Sequence, residues 1–151
     1  MNKKILAFVC DGEKFLILRN NSKDHSHGGD YWFTVTGSVE EDESLEEAIR
    51  REIKEETNLE VSNIFDLKWG SVYSWGGKDH SENNFLAFIK KGKVILNEEH
   101  VDSEWLRLND FIEKINWSLD KIELKNVLEK ALKKELFFKK EKIDDFRKNA
   151  A

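Results

Sequence analysis

The sequence predicts a single α/β domain, and three observations carry that prediction. Short apolar runs punctuated by turn residues fill the first third. A helical period then sets in at Ser44, and strand-like and finally helical segments follow it. The length of 151 residues suits one domain with a real core.

Ile5–Val9 and Phe15–Leu18 are apolar runs joined by Asp11-Gly12, a hairpin signal. NNSKDHSHGGD is polar and carries two glycines, which marks a loop of about a dozen residues. Tyr31–Thr36, YWFTVT, is aromatic and β-branched and should be a strand leading into Gly37. Ser44-Leu45-Glu46-Glu47 has the capping-box form S-x-x-E. Leu45, Ala48, Ile49 and Ile53 recur at helical spacing, and the helix should end near Thr57-Asn58, asparagine tolerating a left-handed terminus. Val61–Tyr73 is mixed and strand-rich, and Gly76–Asp79 is a turn. Phe85–Ile89 and Val94–Leu96 read as two arms of a hairpin around Lys91-Gly92. Glu104–Leu108 alternates as a last strand. A short helix should begin at Asn109, and another near Ser118 running through Leu124, Val127, Leu128, Ala131 and Leu132. The main domain is drawn over residues 1–135, with 136–151 a charged helical extension or tail.

Hydrophobic residues make up 39% and charged residues 36% of the chain, a composition of folded soluble domains rather than disordered ones. No apolar run approaches the roughly 20 residues that span a bilayer, and MNKKILAFVC reads as a strand rather than a signal peptide. The single cysteine, Cys10, forms no internal disulfide, which suits a reducing cytoplasm. The net charge of −5, with lysines interleaved among acids, argues against a nucleic-acid surface, and the lack of a spanning apolar run against a membrane partner. An acidic protein still binds phosphates if a metal ion supplies positive charge.

The helix carries the chemistry. At about 100° per residue, Leu45, Ala48 and Ile49 share a stripe that Glu52, Glu55 and Glu56 continue toward the C-terminal end. Glu46, Glu47, Arg50 and Lys54 fall on the opposite side. A solubilising face places its acids opposite the apolar residues. Here the inward stripe itself turns acidic, which is costly without a cation and useful with one. No histidine-cysteine spacing suggests zinc, so Mg²⁺, with Mn²⁺ as a substitute, is the expected ion.

The spacing Gly37, Glu43, Arg51, Glu52, Ile53, Glu55, Glu56, Leu59 resembles the Nudix box, G-x5-E-x7-R-E-U-x-E-E-x-G-U. Asn58 stands where the pattern has its second glycine. The resemblance covers about Ile5 to Leu132 and implies a Nudix fold, a mixed β-sheet sandwiched between helices. It also implies hydrolysis of a nucleoside diphosphate linked to another group. By that resemblance Glu52, Glu55 and Glu56, with a backbone carbonyl near Gly37, hold the metal. Arg51 then pairs with Glu43 to fix the loop. T-G-S-V-E entering the box resembles the dATP pyrophosphohydrolase or dihydroneopterin triphosphate pyrophosphatase branch. Glu99-His100 through Trp105 resembles an E-H-x-x-x-x-W segment of that branch and of diadenosine tetraphosphate hydrolases.

The expected function is Mg²⁺-dependent cleavage of a nucleoside triphosphate to the monophosphate and pyrophosphate. A dinucleoside polyphosphate or oxidised nucleotide is the alternative substrate, and a nucleotide sensor the non-catalytic reading. Glu99 is the favoured general base over Glu82, alongside the box glutamates. Arg19 is the favoured phosphate clamp over Lys23 and Lys78, and His100 a phosphate contact. Trp32, Trp69, Tyr73 and Trp75 are available for stacking, His25 and His27 lie on a loop that could be a lid, and Trp105 reads as core. A small-molecule nucleotide is the expected partner, for a monomer or homodimer.

Overall fold

The structure is a computed structural model that describes residues 2–21, 31–90 and 92–133. Its organising strand is β1 (Asn2–Cys10). Side chains alternate across a strand, so Ile5, Ala7 and Val9 enter one core while Leu6, Phe8 and Cys10 enter another. From Ile5 to Cys10 the strand is buried on both faces, which is why it reads as an unbroken apolar run rather than an alternating one.

Along one edge β1 pairs in parallel with β6 (Lys78–Ile89). Its other edge is divided. β2 (Phe15–Asn20) meets it at Cys10, and β4 (Val35–Ser38) runs antiparallel to Lys4–Ala7. β3 (Trp32–Phe33) and β7 (His100–Leu106) pair with β2, and β5 (Val61–Trp75) pairs antiparallel with β6. The result is a seven-stranded mixed sheet of order β3-β2-β1-β6-β5, with β4 on β1 and β7 on β2.

The expected single strand at 31–36 is two strands broken at Thr34. The chain leaves β2 there and joins β1, and the Thr34 hydroxyl donates to the Ala7 carbonyl at 2.6 Å. That crossing brings Gly37 beside the central helix.

α1 (Leu45–Thr57) lies on the first core through Ala48, Ile49 and Ile53. Ser44 caps it with a complete capping box, and Asn58 ends it in the left-handed region at φ 67°. Asparagine thus supplies the left-handed residue for which the resembled motif has glycine. α2 (Leu108–Lys114) and α3 (residues 121–133) cover the opposite face with Phe111, Ile112, Leu124, Leu128 and Ala131. Asp120 accepts from the Ile122 amide at 2.8 Å, so α3 begins slightly later than Ser118. The layers are helix, sheet, helix.

One expectation fails. The hairpin does not pair Phe85–Ile89 with Val94–Leu96; β6 pairs with β5 across the Gly76-Gly77 turn. With β1 on its other side, β6 has no free edge. Residues 92–97 are not a strand. The Ile95 amide instead bonds the Thr57 carbonyl at the end of α1 at 2.9 Å, and Val94 and Leu96 pack on the first core. The last strand also begins earlier than expected, at His100 rather than Glu104. Residues 136–151 lie outside the described residues, as does the loop carrying Lys23, His25 and His27. Among the described residues no helix is long and apolar enough to cross a membrane.

Candidate active site

The loop between β4 and α1 is tied to the helix by one side chain. The Arg51 guanidinium grips Glu43 with two bonds, Nε to Oε2 at 2.7 Å and Nη2 to Oε1 at 2.9 Å. Its Nη2 also donates to the Ser38 carbonyl at 2.9 Å, and its Nη1 to Glu52 Oε1 at 2.8 Å. Such a planar fork suits bidentate carboxylate recognition. It holds the Glu43 carboxyl well down, at about 2, chiefly through the bonds themselves. One arginine therefore folds the loop and aims Glu52. A Cβ at Gly37 would collide with the Glu52 carboxyl, so only glycine lets this backbone come so close.

The stripe expected to face inward does so only in part. Glu52 is half-buried, Glu55 exposed and Glu56 buried. The Glu56 side chain is only 3% exposed, and His100 Nε2 lies 2.7 Å from its Oε1. Among the described residues its Oε2 meets no hydrogen-bond donor. Burial, then the Glu52 carboxyl within hydrogen-bonding reach, then Glu99 and Glu55, push Glu56 up to about 10. Burial pushes His100 down, so its contact with Glu56 is a hydrogen bond rather than an ion pair. Glu99 is raised by burial first and by Glu52 and Glu55 next. Ligand atoms of Glu56, Glu99 and His100 lie within 4.8 Å of one another.

Carboxylates crowded in this way must share protons or a cation. The oxygen-rich donor set, the buried acceptor without a donor and the mutual repulsion all fit a hard divalent ion. Beside this cluster opens a cleft of about 860 Å³, lined by Lys4, Asn20, Asn21, Tyr31, Glu82 and Glu99 among others. Among the described residues, Lys4 is the one lysine or arginine in that lining. The cleft therefore pairs an acidic wall with a cationic side chain, as a metal-assisted phosphate site requires.

A NUDIX domain model matches residues 2–126. The chain belongs to the NUDIX family. The dihydroneopterin triphosphate diphosphatase of Escherichia coli K12 is 35% identical over 116 residues, 68% of this chain and 74% of that protein. The NAD-capped RNA hydrolase NudC of Haemophilus influenzae is 30% identical over 102 residues, 67% of this chain. This chain spans only 37% of NudC's length. Among solved structures, a C. elegans Ap4A hydrolase binary complex superposes with a TM-score of 0.63 at 24% identity, covering 91% of this chain and 97% of that one. The mixed sheet between helices is thus the NUDIX fold.

Within this NUDIX domain, Gly37, Glu56, Glu99 and His100 line the cleft together, and Glu82 faces them from β6. Glu82 stands apart electrostatically. Burial raises it and Lys4 lowers it, while the charges acting on Glu56 come from Glu52, Glu99 and Glu55. Arg19 is not in the lining, where its neighbours Asn20 and Asn21 are; nor is Lys78, which is exposed near the β5–β6 turn. His100 is occupied by Glu56. Trp32 packs on the second core under Lys114, whose Nζ sits 4.0 Å from the ring centre. Trp105 packs on the first core, and the Trp75 side chain lies outside the described residues.

Sequence reasoning missed Lys4, Tyr31 and Phe33. Lys4 looked like part of a leading Met-Asn-Lys-Lys, yet its β1 position pairs with Ser38 and Glu82. A lysine with the parity of Leu6 and Phe8 was the available signal, since it shares their face of the sheet.

Proposed function

We propose that this NUDIX domain hydrolyses a phosphoric anhydride bond of a nucleoside triphosphate, giving the monophosphate and pyrophosphate with a divalent cation, Mg²⁺ or Mn²⁺. The observation that carries this reading is the buried Glu56, crowded by Glu52 and Glu99 with an oxygen that no donor among the described residues satisfies. Glu52, Glu55 and Glu56 would hold the cation, with the Gly37 backbone close by. When bound, such an ion neutralises phosphate charge and makes a water easier to deprotonate.

The chain's own residues supply the rest. Arg51 fixes the direction of Glu52, so the carboxylate needs no reorganisation when substrate arrives. His100 holds one oxygen of Glu56 and leaves the other free to act. Glu99, made more basic by burial and by neighbouring acids, accepts the proton of the attacking water. Lys4, which lines the cleft, joins Arg19 as a candidate to meet the phosphate oxygens.

The triphosphate reading draws on the T-G-S-V-E entry to the box and on the E. coli diphosphatase at 35% identity. Changing Glu55 or Glu56 to Gln removes a charged ligand and keeps its shape. Turnover should fall by about 10² or more in each, as for loss of a group that stabilises transition-state charge. Wild-type turnover in both variants would sink the assignment.

A further inference from the structure

A second cavity of about 370 Å³ opens beside the cleft and shares Tyr31, Phe33, Tyr73 and Glu82 with it. Its walls are aromatic. Phe33 stacks on Trp117 with centroids 5.9 Å apart at 15°, Trp117 meets Trp69 at 5.5 Å, and Tyr31 stacks on Phe33 at 5.5 Å. Flat walls of this kind favour a flat heteroaromatic guest.

Ser71, Ser118 and the Tyr31 and Tyr73 hydroxyls line this cavity too, but its carboxyl and its amide both come from one strand. Glu82 and Asn84 stand two residues apart on β6 and so on one face of the sheet. Opposite Asn84, β5 bulges: Asp66 pairs with Phe85 and Gly70 with Asn83, leaving residues 67–69 across from one residue. The bulge turns aside the chain that would cover Asn84 and places Trp69 in the lining. Asn84 is 4% exposed, lines the cavity, and its Oδ1 has no hydrogen-bond partner among the described residues. A buried amide oxygen left without a donor costs on the order of 1–3 kcal/mol, a cost that a ligand N–H would remove.

We infer that this cavity is the ring subsite of the enzyme, in which Glu82 and Asn84 accept hydrogen bonds from an amino-bearing ring edge with two adjacent N–H donors. That edge is the 2-amino-4-oxopyrimidine shared by guanine and pterins. The inference rests on the proposed triphosphate hydrolysis, because it assumes that a ring occupies the end of the cleft away from the acidic cluster. Cytosine and adenine offer a single amino group beside an acceptor nitrogen, which faces the Glu82 carboxylate unfavourably. Glu82 is thereby a specificity residue rather than the base.

The test compares wild type, Glu82→Gln and Asn84→Leu. Without divalent ion, guanosine, neopterin, adenosine and cytidine are titrated by quenching of tryptophan emission, to which Trp69 and Trp117 contribute. With Mg²⁺, the corresponding triphosphates are compared by kcat/KM. Wild type should prefer the guanine and pterin compounds by about tenfold or more, the discrimination of one good bidentate pair. Each variant should lose most of that preference. Circular dichroism checks each fold; should Asn84→Leu fail to fold, the isosteric Glu82→Gln decides alone. An unchanged preference in the folded variants, or a wild type that favours adenine or cytosine, overturns the subsite. Selective ring binding without any hydrolysis keeps the subsite and overturns the proposed reaction. Hydrolysis with no ring preference does the reverse.

Discussion

Glu43 keeps its charge far into acid because Arg51 binds both of its oxygens. Its carboxyl is depressed from 4.5 to about 2. A group depressed by folding lends stability that is present above its unfolded value and is lost as pH falls through the folded one. Thermal melts of wild type and Glu43→Gln should therefore differ by a constant amount near neutrality. The gap should close between pH 4.5 and about 2. A gap that persists undiminished at the acid end would show that Arg51 does not hold Glu43 as described. Legibility also differs residue by residue. Glu56 was readable because a helical wheel assigns it to the apolar stripe, and burial follows from that stripe. Lys4, Tyr31 and Phe33 were not, because they meet only when separate strands are laid side by side.

At the scale of elements, α1 was legible from both ends inward. Its capping box is complete, with the Glu47 amide bonding Ser44 Oγ at 3.0 Å and Glu47 Oε1 accepting from the Ser44 amide at 3.1 Å. Ser44→Ala should cost about 1 kcal/mol. In urea this appears as a lowered midpoint with an unchanged slope. No shift would mean that the cap is redundant with Arg51. The strands were harder to read. Val94–Leu96 has strand composition, but composition does not reveal that both edges of β6 are already taken. The apolar side chains there serve the first core from an irregular segment, with the Thr57 carbonyl as the partner for Ile95. Likewise the break at Thr34 leaves no local mark, since the residues on either side favour strands equally.

Across the whole molecule, the division of β1's outer edge between β4 and β2 makes the site. It opens the sheet where Gly37 meets α1, and β6, lying on the other edge, brings Glu82 opposite Lys4. Acidic cluster, lysine and aromatic cavity follow one another along a single groove. A net charge of −5 disfavours anionic substrates at long range, so affinity for a triphosphate must come from this groove and the cation held there. The measurement that tests this most directly follows a nucleoside triphosphate by phosphorus NMR with Mg²⁺ and then with excess chelator. The account predicts conversion to monophosphate and pyrophosphate that stops when the ion is withdrawn and is lost in Glu56→Gln. Release of inorganic phosphate in place of pyrophosphate, or conversion that continues under chelation, would contradict it.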